Sequence, residues 1–561
     1  MNKIISFIMA ISALSLAAQV PYELSPDFIT NPNGHYATGL GIADINGDGW
    51  KDIIVANGND MSRQRLVVYY NNGNGTFPAD PDWYSDDVDF HGHLSAGDID
   101  NDGDVDIAVS VYLGPNGFGY PGKVKIYYNT DTGLESSPSF QSDYFYTFSC
   151  ALGDADADGD LDLAVACGEP YNAEYDYGRI FYNNGGSFNT VADWQSNVQM
   201  GALDVEFGDL DQNGYLDLVF VCESTQNYVF LADNQGNIDE YWDWHSDHPQ
   251  NFMNSVDIGK SRVNGSTCFV STGNDQLGGD GMIKQFMFTN PVPSYSSPTW
   301  ASDYVGYGSG ILMADINHDD FVDLVYGSWW GPMTILEGCY DEWINTPVFQ
   351  ATSTSVVEAI QMSDLGKFNY QGKTINAKAI GQHALIQLEE PLIEKINAIY
   401  VNNVSVARAD YCYVEMKNWI SLKNDIMPGD VFKVEYEYTY DGDIVISNWD
   451  PGKGNFIYYN TMNPVTINEY EVPGKDLYLL SVSPVPADGP VTVRYSSKQQ
   501  GPVRMNICDM SGKVYFDGII EDGLPGIREY TFSTSHLADG VYILKISNGQ
   551  SSNLTKFLVH R

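Results

Sequence analysis

The chain has 561 residues, of which 43% are hydrophobic and 13% aromatic, and its formal net charge is −46. This length exceeds one ordinary hydrophobic core and predicts several domains. An acidic surface repels phosphate backbones, so nucleic acid is excluded as a partner and anionic membranes are disfavoured.

The amino terminus has the parts of an export signal. Lys3 supplies the positive start, an apolar stretch follows, and Ala17 and Ala18 are the small residues before a cleavage site. We therefore predict a signal peptide at residues 1–18 and a protein that is extracellular or on the outer cell surface. That stretch is too short for a permanent span, and no other segment is predicted to cross a membrane.

A nine-residue acidic motif recurs along the chain. Its copies are DINGDGWKD from Asp44, DIDNDGDVD from Asp98, DADADGDLD from Asp154, DLDQNGYLD from Asp209 and DINHDDFVD from Asp315. The first aspartates are 54, 56, 55 and 106 residues apart. The doubled last gap indicates one repeat that has lost its loop, in the region of Asp257.

Each repeat also contains four predicted strands. One apolar strand leads into the acidic loop and a second leads out of it. A third ends in an aromatic residue and asparagine, as at Tyr70-Asn71, and a fourth often carries tryptophan, as at Trp83 and Trp194. Four strands in about 50 residues are typical of one blade of a β-propeller.

The final repeat is interrupted. Asp364 and Tyr458 are 94 residues apart, whereas 25 to 29 residues separate the matching positions of intact repeats. About 65–70 residues are therefore inserted, at 370–440, and their alternating pattern predicts a small β-domain. With this repeat the predicted propeller has seven blades.

Over residues 27–465 these repeats resemble the FG-GAP or VCBS repeat family, the propeller type also seen in the integrin α head. The resemblance implies a seven-bladed β-propeller with calcium in the loop that joins the first two strands of a blade. The fifth and seventh repeats depart from the pattern, so no metal is assigned to them.

The motif suits calcium, a hard cation that takes six to eight oxygen ligands at about 2.3–2.6 Å. Acidic or amide side chains at positions 1, 3, 5 and 9 and the carbonyl of position 7 can surround one ion. The motif contains no soft ligand, which argues against zinc or copper. Solvated acidic turns are the alternative, but a turn does not require the acid at position 9. We predict about five structural Ca²⁺ sites. Their ligands are Asp44, Asn46, Asp48, Trp50 and Asp52; Asp98, Asp100, Asp102, Asp104 and Asp106; Asp154, Asp156, Asp158, Asp160 and Asp162; Asp209, Asp211, Asn213, Tyr215 and Asp217; and Asp315, Asn317, Asp319, Phe321 and Asp323.

The carboxy-terminal segment, residues 477–561, resembles the type A sorting domain of type IX secretion. The matching features are SPVPADGPVTV at Ser483–Val493, ICDMSGKVY at Ile507–Tyr515 and LADGVYILKISNG at Leu537–Gly549. The resemblance implies export through the type IX secretion machinery, followed by removal of the tail and release or attachment at the surface. The predicted fold is therefore all-β: a propeller with an inserted β-domain, then a β-sandwich.

The seven cysteines follow neither a metal nor a redox spacing. Several lie in apolar strand patterns, as Cys167 does in LAVACG, so we expect buried thiols. One disulfide stays open as an alternative in an exported protein.

A ligand is expected on the face opposite the acidic loops, where the connections are long and aromatic. Rings beside asparagine and aspartate suit the apolar faces and hydroxyls of sugars. The candidate ligand-binding residues are Tyr175, Tyr177, Trp329, Trp330 and Trp449. Packing of loop against loop is the alternative role for these rings.

The predicted function is binding of a glycan or an extracellular protein. A carbohydrate-active enzyme such as a polysaccharide lyase is one alternative, with His91 and His93 as the histidines for such a site, and a structural surface component is another. No nucleophile, zinc-protease or separable paired-carboxylate motif is present, so no catalytic residue is predicted.

Overall fold

The structure is a computed structural model that divides into two compact units, Met1–Pro464 and Val465–Arg561. It describes residues 20–247, 253–260, 266–275, 279–288, 296–317, 321–339, 342–366, 370–388, 392–415, 417–440, 442–460, 477–483, 490–497, 501–509, 513–523, 526–538, 540–548 and 552–559. The predicted signal peptide lies outside the described residues.

After a short strand β1 (Phe28–Ile29), five antiparallel sheets follow one another, each with four strands in sequence order. The first two sheets are β2 (Ala37–Ala43), β3 (Asp52–Asn57), β4 (Val67–Tyr69) and β5 (Trp83–Tyr84), then β6 (Phe90–Gly97), β7 (Asp106–Leu113), β8 (Pro121–Tyr127) and β9 (Phe140–Gln141). The next two are β10 (Thr147–Gly153), β11 (Asp162–Cys167), β12 (Asp176–Phe181) and β13 (Trp194–Met200), then β14 (Ala202–Gly208), β15 (Asp217–Cys222), β16 (Tyr228–Phe230) and β17 (Trp244–His245). The fifth is β18 (Met253–Lys260), β19 (Thr267–Gly273), β20 (Lys284–Phe288) and β21 (Trp300–Ala301).

The first two strands of a sheet are buried on both faces. Every residue of β2 and β3 is buried, which is why these segments are continuously apolar and do not alternate. The fourth strands carry the predicted tryptophan, which is half-buried in β5 as Trp83 and buried as Trp194, Trp244 and Trp300.

A sixth sheet contains six strands in the order β1-β35-β34-β26-β23-β22. The strands and the short hairpin beside them are β22 (Gly308–Ala314), β23 (Asp323–Leu336), β24 (Gly338–Cys339), β25 (Glu342–Trp343), β26 (Phe349–Ser363), β34 (Asp443–Asn448) and β35 (Phe456–Tyr458). The first part of β23 pairs with β22 and the second with β26, whose own second part pairs with β34. At the other edge β1 pairs with β35, so the amino-terminal strand closes the ring.

The innermost strands form a closed ring. β2, β6, β10, β14, β18, β22 and β26 contact one another in that order, and β26 contacts β2. This is the β-propeller expected from the repeats. Two halves of the sixth sheet would make seven blades, and that number stays a prediction.

Between β26 and β34 the chain forms two further sheets that pair with no propeller strand among the described residues. Their strands are β27 (Gln371–Lys378), β28 (His383–Gln387), β29 (Leu392–Val401), β30 (Val404–Ser405), β31 (Tyr411–Cys412), β32 (Trp419–Ile426) and β33 (Val431–Thr439). Ile386, Ile420 and Val434 are part of a core between the two sheets. We call this segment the insert.

The second unit is a β-sandwich, as predicted. Its sheets are β36-β37-β40 and β39-β38-β41-β42, and residues such as Val493 and Leu544 form its core. The strands are β36 (Leu477–Ser483), β37 (Pro490–Ser497), β38 (Gly501–Asp509), β39 (Val514–Gly523), β40 (Gly526–Ser533), β41 (Gly540–Ser547) and β42 (Ser552–Val559).

The described residues contain no α-helix, only the 3₁₀ turns Pro170–Asn172 and Arg408–Asp410, which confirms the all-β class. Among them, no helix has the length and hydropathy of a membrane span. The cysteines whose side chains are described are free thiols, at Cys150, Cys167, Cys222, Cys268, Cys412 and Cys508.

Candidate functional site

Three of the acidic loops bring carboxylates together. In each, oxygens from positions 1, 3 and 9 lie within 4.8 Å of one another, which is close enough for one metal ion. The groups are Asp98, Asp100 and Asp106; Asp154, Asp156 and Asp162; and Asp209, Asp211 and Asp217.

The first aspartate and the glycine at position 6 shape each loop. The Gly49 amide donates to Asp44 Oδ2 at 2.7 Å, and Gly103 donates to Asp98 Oδ2 at 3.1 Å. These glycines have φ of 82° and 103°, a region in which a side chain is strained. Curling the backbone in this way turns the side chains of the loop towards one point.

The aspartate at position 9 has a second role that sequence analysis missed. Asp52 Oδ2 accepts from the Ile45 amide at 3.0 Å and Oδ1 from the Asn71 amide at 2.8 Å. Position 9 therefore ties the start of its loop to the end of the third strand. Equivalent pairs of bonds occur at Asp106, Asp162, Asp217, Asp323 and Asp443.

The asparagine after the aromatic residue links neighbouring blades. Asn129 Nδ2 donates to the Ile45 carbonyl at 2.6 Å, and Asn183 Nδ2 donates to the Ile99 carbonyl at 2.7 Å. Each asparagine thus holds the acidic loop of the preceding blade, which explains why the aromatic-asparagine pair recurs with the loop.

A cation fits the donor sets. Asp44 Oδ1, Asp98 Oδ1, Asp156 Oδ1 and Asp209 Oδ1 are buried without a hydrogen-bond partner among the described residues, which is costly unless an ion binds them. Burial, together with the charges of neighbouring aspartates, raises the pKa of Asp154 and Asp209 to about 7. Buried oxygens without any thiol or imidazole suit a hard ion, so the clusters are compatible with calcium.

Not every predicted ligand joins these groups. At position 5 the side chain bonds its own loop, as when Asp102 Oδ1 accepts from the Asp104 amide at 2.9 Å and Asn213 Oδ1 from the Tyr215 amide at 2.9 Å. In the fifth loop Asp319 lies outside the described residues. The first loop offers amide oxygen from Asn46 at position 3.

The insert lies against the face that carries the acidic loops. Arg408 pairs with Asp98, and the amides of Ala384 and Leu385 donate to the Gly214 carbonyl at 3.1 and 3.0 Å. No sequence pattern pointed to these contacts, because they join residues that are far apart along the chain.

A cavity of about 730 Å³ lies on the axis between the inner strands and the insert. Lys417 Nζ, from the insert, lies 2.7 Å from Glu206 Oε1 and 4.0 Å from Asp257 Oδ1. Burial raises the pKa of Glu206 to about 7 although Lys417 lowers it. Asp257, taken from the sequence to mark a lost loop, lies within β18 and lines this cavity.

The two histidines proposed for an enzymatic site lie in the first half of β6 and are not exposed as a pair. His91 is fully buried and its Nδ1 lies 2.8 Å from the Asn57 carbonyl oxygen. His93 lines the axial cavity, with Nδ1 3.5 Å from Asp204 Oδ1. The start of β6 thus lies at the end opposite the acidic loop, but burial of His91 leaves no exposed histidine pair there.

The predicted ligand-binding residues all lie in connections between second and third strands or at their ends, at what we call the open face. Trp330 is 57% exposed and Tyr175 is 37% exposed. Trp329 is partly buried against an aromatic cluster on the axis, and Trp449 packs on Tyr36 with ring centroids 5.4 Å apart. Tyr177 is half-buried in β12. Of the five, Trp330 and Tyr175 are the most accessible to a ligand.

Four acids missed by sequence analysis meet at the axis of the open face, around Tyr171. They are Asp60, Glu169, Glu223 and Glu358. Burial raises the pKa of the Tyr171 hydroxyl well above its usual value, and the negative charge of each of these acids raises it further. We call them the acidic mouth. They lie in connections of very different sequence, so no repeat pattern reveals them.

Glu358 makes folding sensitive to pH. Burial, then the charge of Asp60, raises its pKa to about 8, whereas the unfolded carboxyl titrates near 4.5. The folded state therefore holds the extra proton in this window, and stability is lost as pH rises from about 4.5 to about 8. With calcium present, Glu358→Gln should be more stable than wild type at pH 8.5 by about 1–3 kcal/mol and similar at pH 5. Thermal melts at both pH values test this, with the exposed Glu240→Gln as control; equal pH dependence in all three proteins would contradict it.

Two family models match the chain. Residues 44–109 match the FG-GAP-like repeat, and residues 481–560 match the secretion system C-terminal sorting domain. Both resemblances inferred from the motifs are confirmed. Among curated proteins, no sequence matches this one.

Several solved structures are similar at low sequence identity. Two crystal structures of BBS1N in complex with ARL6DN, soaked with mercury and with lead, share 12% and 11% identity. They cover 64% and 72% of this chain and 94% and 98% of their own, with TM-scores of 0.40 and 0.41. PorZ, a surface component of the type-IX secretion system of Porphyromonas gingivalis, shares 15% identity over 93% of this chain and 65% of its own, with a TM-score of 0.28. These scores are low, so the propeller assignment rests on the sheets and the repeats.

Proposed function

We propose that this chain, which carries an FG-GAP-like repeat and a secretion sorting domain, is a calcium-stabilised glycan-binding module. The sorting domain marks it for export to the cell surface or the extracellular space through the type IX machinery. Residues 1–18 act as the signal peptide, residues 27–465 form the binding propeller, and the insert spans 370–440. Calcium occupies the five predicted loops.

The observation that carries the proposal is that Trp330 is exposed and has a strained backbone. It is 57% exposed and has φ of 56°, which is strained for a bulky side chain. The strain falls at the bulge between Trp329 and Gly331, where β23 passes from pairing with β22 to pairing with β26, and the ring there stands in solvent. Strained residues of this kind cluster at ligand sites.

Other rings extend the same surface. Trp330 lies edge-on to Tyr307, with centroids 5.5 Å apart, and Trp329 lies 6.0 Å away. Tyr171 and Tyr120 are 44% and 52% exposed in neighbouring connections. Exposed rings beside carboxylates can stack on sugar faces and accept from sugar hydroxyls.

Electrophoresis of the mature propeller through gels that each contain one polysaccharide, with calcium present, tests this function. We expect slowed migration in at least one gel without degradation of the polymer. Trp330→Ala should weaken the retention about 30-fold, the effect of losing about 2 kcal/mol at a binding hot spot. Trp242→Ala is the matched control, because Trp242 is 42% exposed in the connection between β16 and β17, at the opposite end of its blade.

The outcomes separate the alternatives. A cleared zone along the track would support a polysaccharide lyase and contradict a pure binding module. Unchanged migration in every gel would remove the glycan and leave an extracellular protein partner or a structural role. Equal losses for Trp330→Ala and Trp242→Ala would place the binding surface elsewhere.

A further inference from the structure

The acidic mouth joins residues from four parts of the ring. Asp60 follows β3, Glu169 follows β11, Glu223 follows β15, and Glu358 lies in β26. Connections after the second strand of a sheet lie at the end opposite the acidic loops. The four carboxyl groups therefore meet across the axis on the open face, away from both the predicted calcium loops and the insert.

Their charges are close enough to act on one another. Burial and then the charge of Glu169 raise the pKa of Glu223 to about 7, and burial and Glu169 also raise the pKa of Asp60. No lysine or arginine in the part of the chain that the structure describes contributes to the pKa of Asp60, Glu223 or Glu358. The mouth thus has no internal cation among these contributions, and its acids are only partly ionised near neutral pH, because the pKa of Glu223 is about 7 and that of Glu358 about 8. An ammonium ligand would favour their ionised forms.

The hydrogen bonds of the four acids are unequal. Glu169 Oε1 accepts from the Tyr112 hydroxyl at 3.0 Å, and its Oε2 accepts from the amide and side chain of Asn172 at 3.0 and 2.6 Å. Glu358 Oε2 accepts from the Ser309 hydroxyl at 3.4 Å. Glu223 is only 5% exposed, yet its Oε2 is buried and has no hydrogen-bond partner among the described residues. Such an acceptor is costly to bury unless a ligand donates to it.

Tyr175 and Pro170, which precedes Tyr171, lie beside the Glu223 backbone. Gly201 brings Glu223 and Tyr175 together, since a Cβ there would lie 2.9 Å from the Glu223 carbonyl oxygen and 3.3 Å from the Tyr175 ring. Tyr112, whose hydroxyl donates to Glu169, packs on Phe148 with ring centroids 5.1 Å apart. Tyr171 stands among the acids with 44% of its surface exposed.

This combination favours an organic cation over a metal ion. Calcium needs several oxygens that converge on one point, and within the described ranges the only acidic triplets that do so are those of the loops. A ring face flanked by carboxylates is the usual environment of an ammonium group, which gains from both charge and cation–π attraction.

We propose that the acidic mouth binds the ammonium group of an amino sugar, with Glu223 Oε2 as acceptor and Tyr171 as the ring beneath it. The proposal rests on the glycan-binding function and narrows it to glycans with free amines. No covalent step is involved.

Calorimetric titration of the mature propeller with glucosamine trisaccharide and with its N-acetylated form, in calcium and physiological salt, tests the assignment. We expect the free amine to bind at least about tenfold more tightly, because acetylation removes the charge. Glu223→Gln and Tyr171→Ala should each remove most of that preference. Glu240→Gln, which removes the same charge from an exposed site, should retain it, and a melting curve for each variant verifies folding.

Each alternative result has a defined meaning. Equal affinity for the two sugars would overturn the ammonium site and leave the glycan function intact. Loss of the preference in Glu240→Gln as well would mean long-range attraction to the acidic surface and would overturn the site. Binding of a lysine peptide through Glu223, without binding of either sugar, would replace the amino sugar by a protein partner. If Trp330→Ala lost binding to both sugars while Glu223→Gln and Tyr171→Ala bound both normally, glycan binding would be supported and the role of Glu223 contradicted.

Discussion

Chelation of calcium is expected to lower the melting temperature of the propeller by about 10 °C. A site that is occupied at a hundredfold excess over its dissociation constant adds about 2.7 kcal/mol, so three sites add about 8 kcal/mol. The unfolding entropy of a domain of this size converts that loss to a shift of about 10 °C. Unfolding curves with calcium and with chelator, followed by calorimetry, measure it.

The effect is large because the acidic loops also stabilise the contacts between neighbouring blades. Without an ion, the clustered carboxylates of Asp154, Asp156 and Asp162 repel one another in a buried place. Asp162 also holds the Ala155 and Asn183 amides, at 2.8 and 2.7 Å, so a distorted loop disturbs the contact between blades.

A pair of variants locates the calcium. Asp156→Asn removes a carboxylate from one triplet, whereas Asp131→Asn removes an equal charge from an exposed turn. Calorimetric titration should show one strong site fewer in the first and an unchanged number in the second. An identical melting temperature with and without chelator would show that the loops are solvated acidic turns.

Lys51→Met is expected to destabilise the first unit by about 3–5 kcal/mol, the usual effect of breaking a buried ion pair. Lys51, in the first acidic loop, is only 8% exposed and pairs with Glu415 of the insert. Burial alone would lower the pKa of Lys51, but Glu415 and Glu394 together raise it above its usual value. Removing the ammonium leaves two acids without their cation.

Urea unfolding followed by tryptophan fluorescence measures this change. Lys433→Met is the matched control within the insert, because the Lys433–Glu435 pair is much more exposed and its loss should change the free energy of unfolding little. Replacing the pair together, as in Lys51→Met with Glu415→Leu, should recover most of the loss, since an apolar pair can substitute for a buried ion pair. Equal stability of Lys51→Met and Lys433→Met would mean that the insert does not depend on this contact.

The acidic loops show how much of the structure a local sequence pattern can predict. Spacing of acids along nine residues predicted which side chains meet in three loops, because the geometry of a short turn is a local property. The same spacing did not reveal that Asp52 also bonds Asn71, since that bond depends on where the third strand ends. Position 5 stays a predicted ligand position: Asp102 Oδ1 accepts from the Asp104 amide just as Asp100 Oδ1 accepts from the Asp102 amide.

The ligand face was predicted less well. Long aromatic connections correctly indicated that exposed rings lie opposite the acidic loops, as Trp330 does. They did not separate Trp330 from Trp329, which packs on the axis. The sequence also indicated a loop at His91 and His93. In the structure β6 begins at Phe90, so both histidines lie in a strand and His91 is buried. Exposure depends on neighbouring blades, which no single repeat encodes.

The sequence by itself determined the all-β class, the repeat that builds the propeller, the interrupted last repeat and the sorting domain at residues 481–560. These are properties of period, turn chemistry and motif, which can be recognised in order along the chain. Only the tertiary structure decided that Lys417 enters the axial cavity, that Lys51 meets Glu415, and that four acids converge around Tyr171. The reason is that closing the ring brings together residues hundreds of positions apart, and such contacts leave no periodic signal in a single chain.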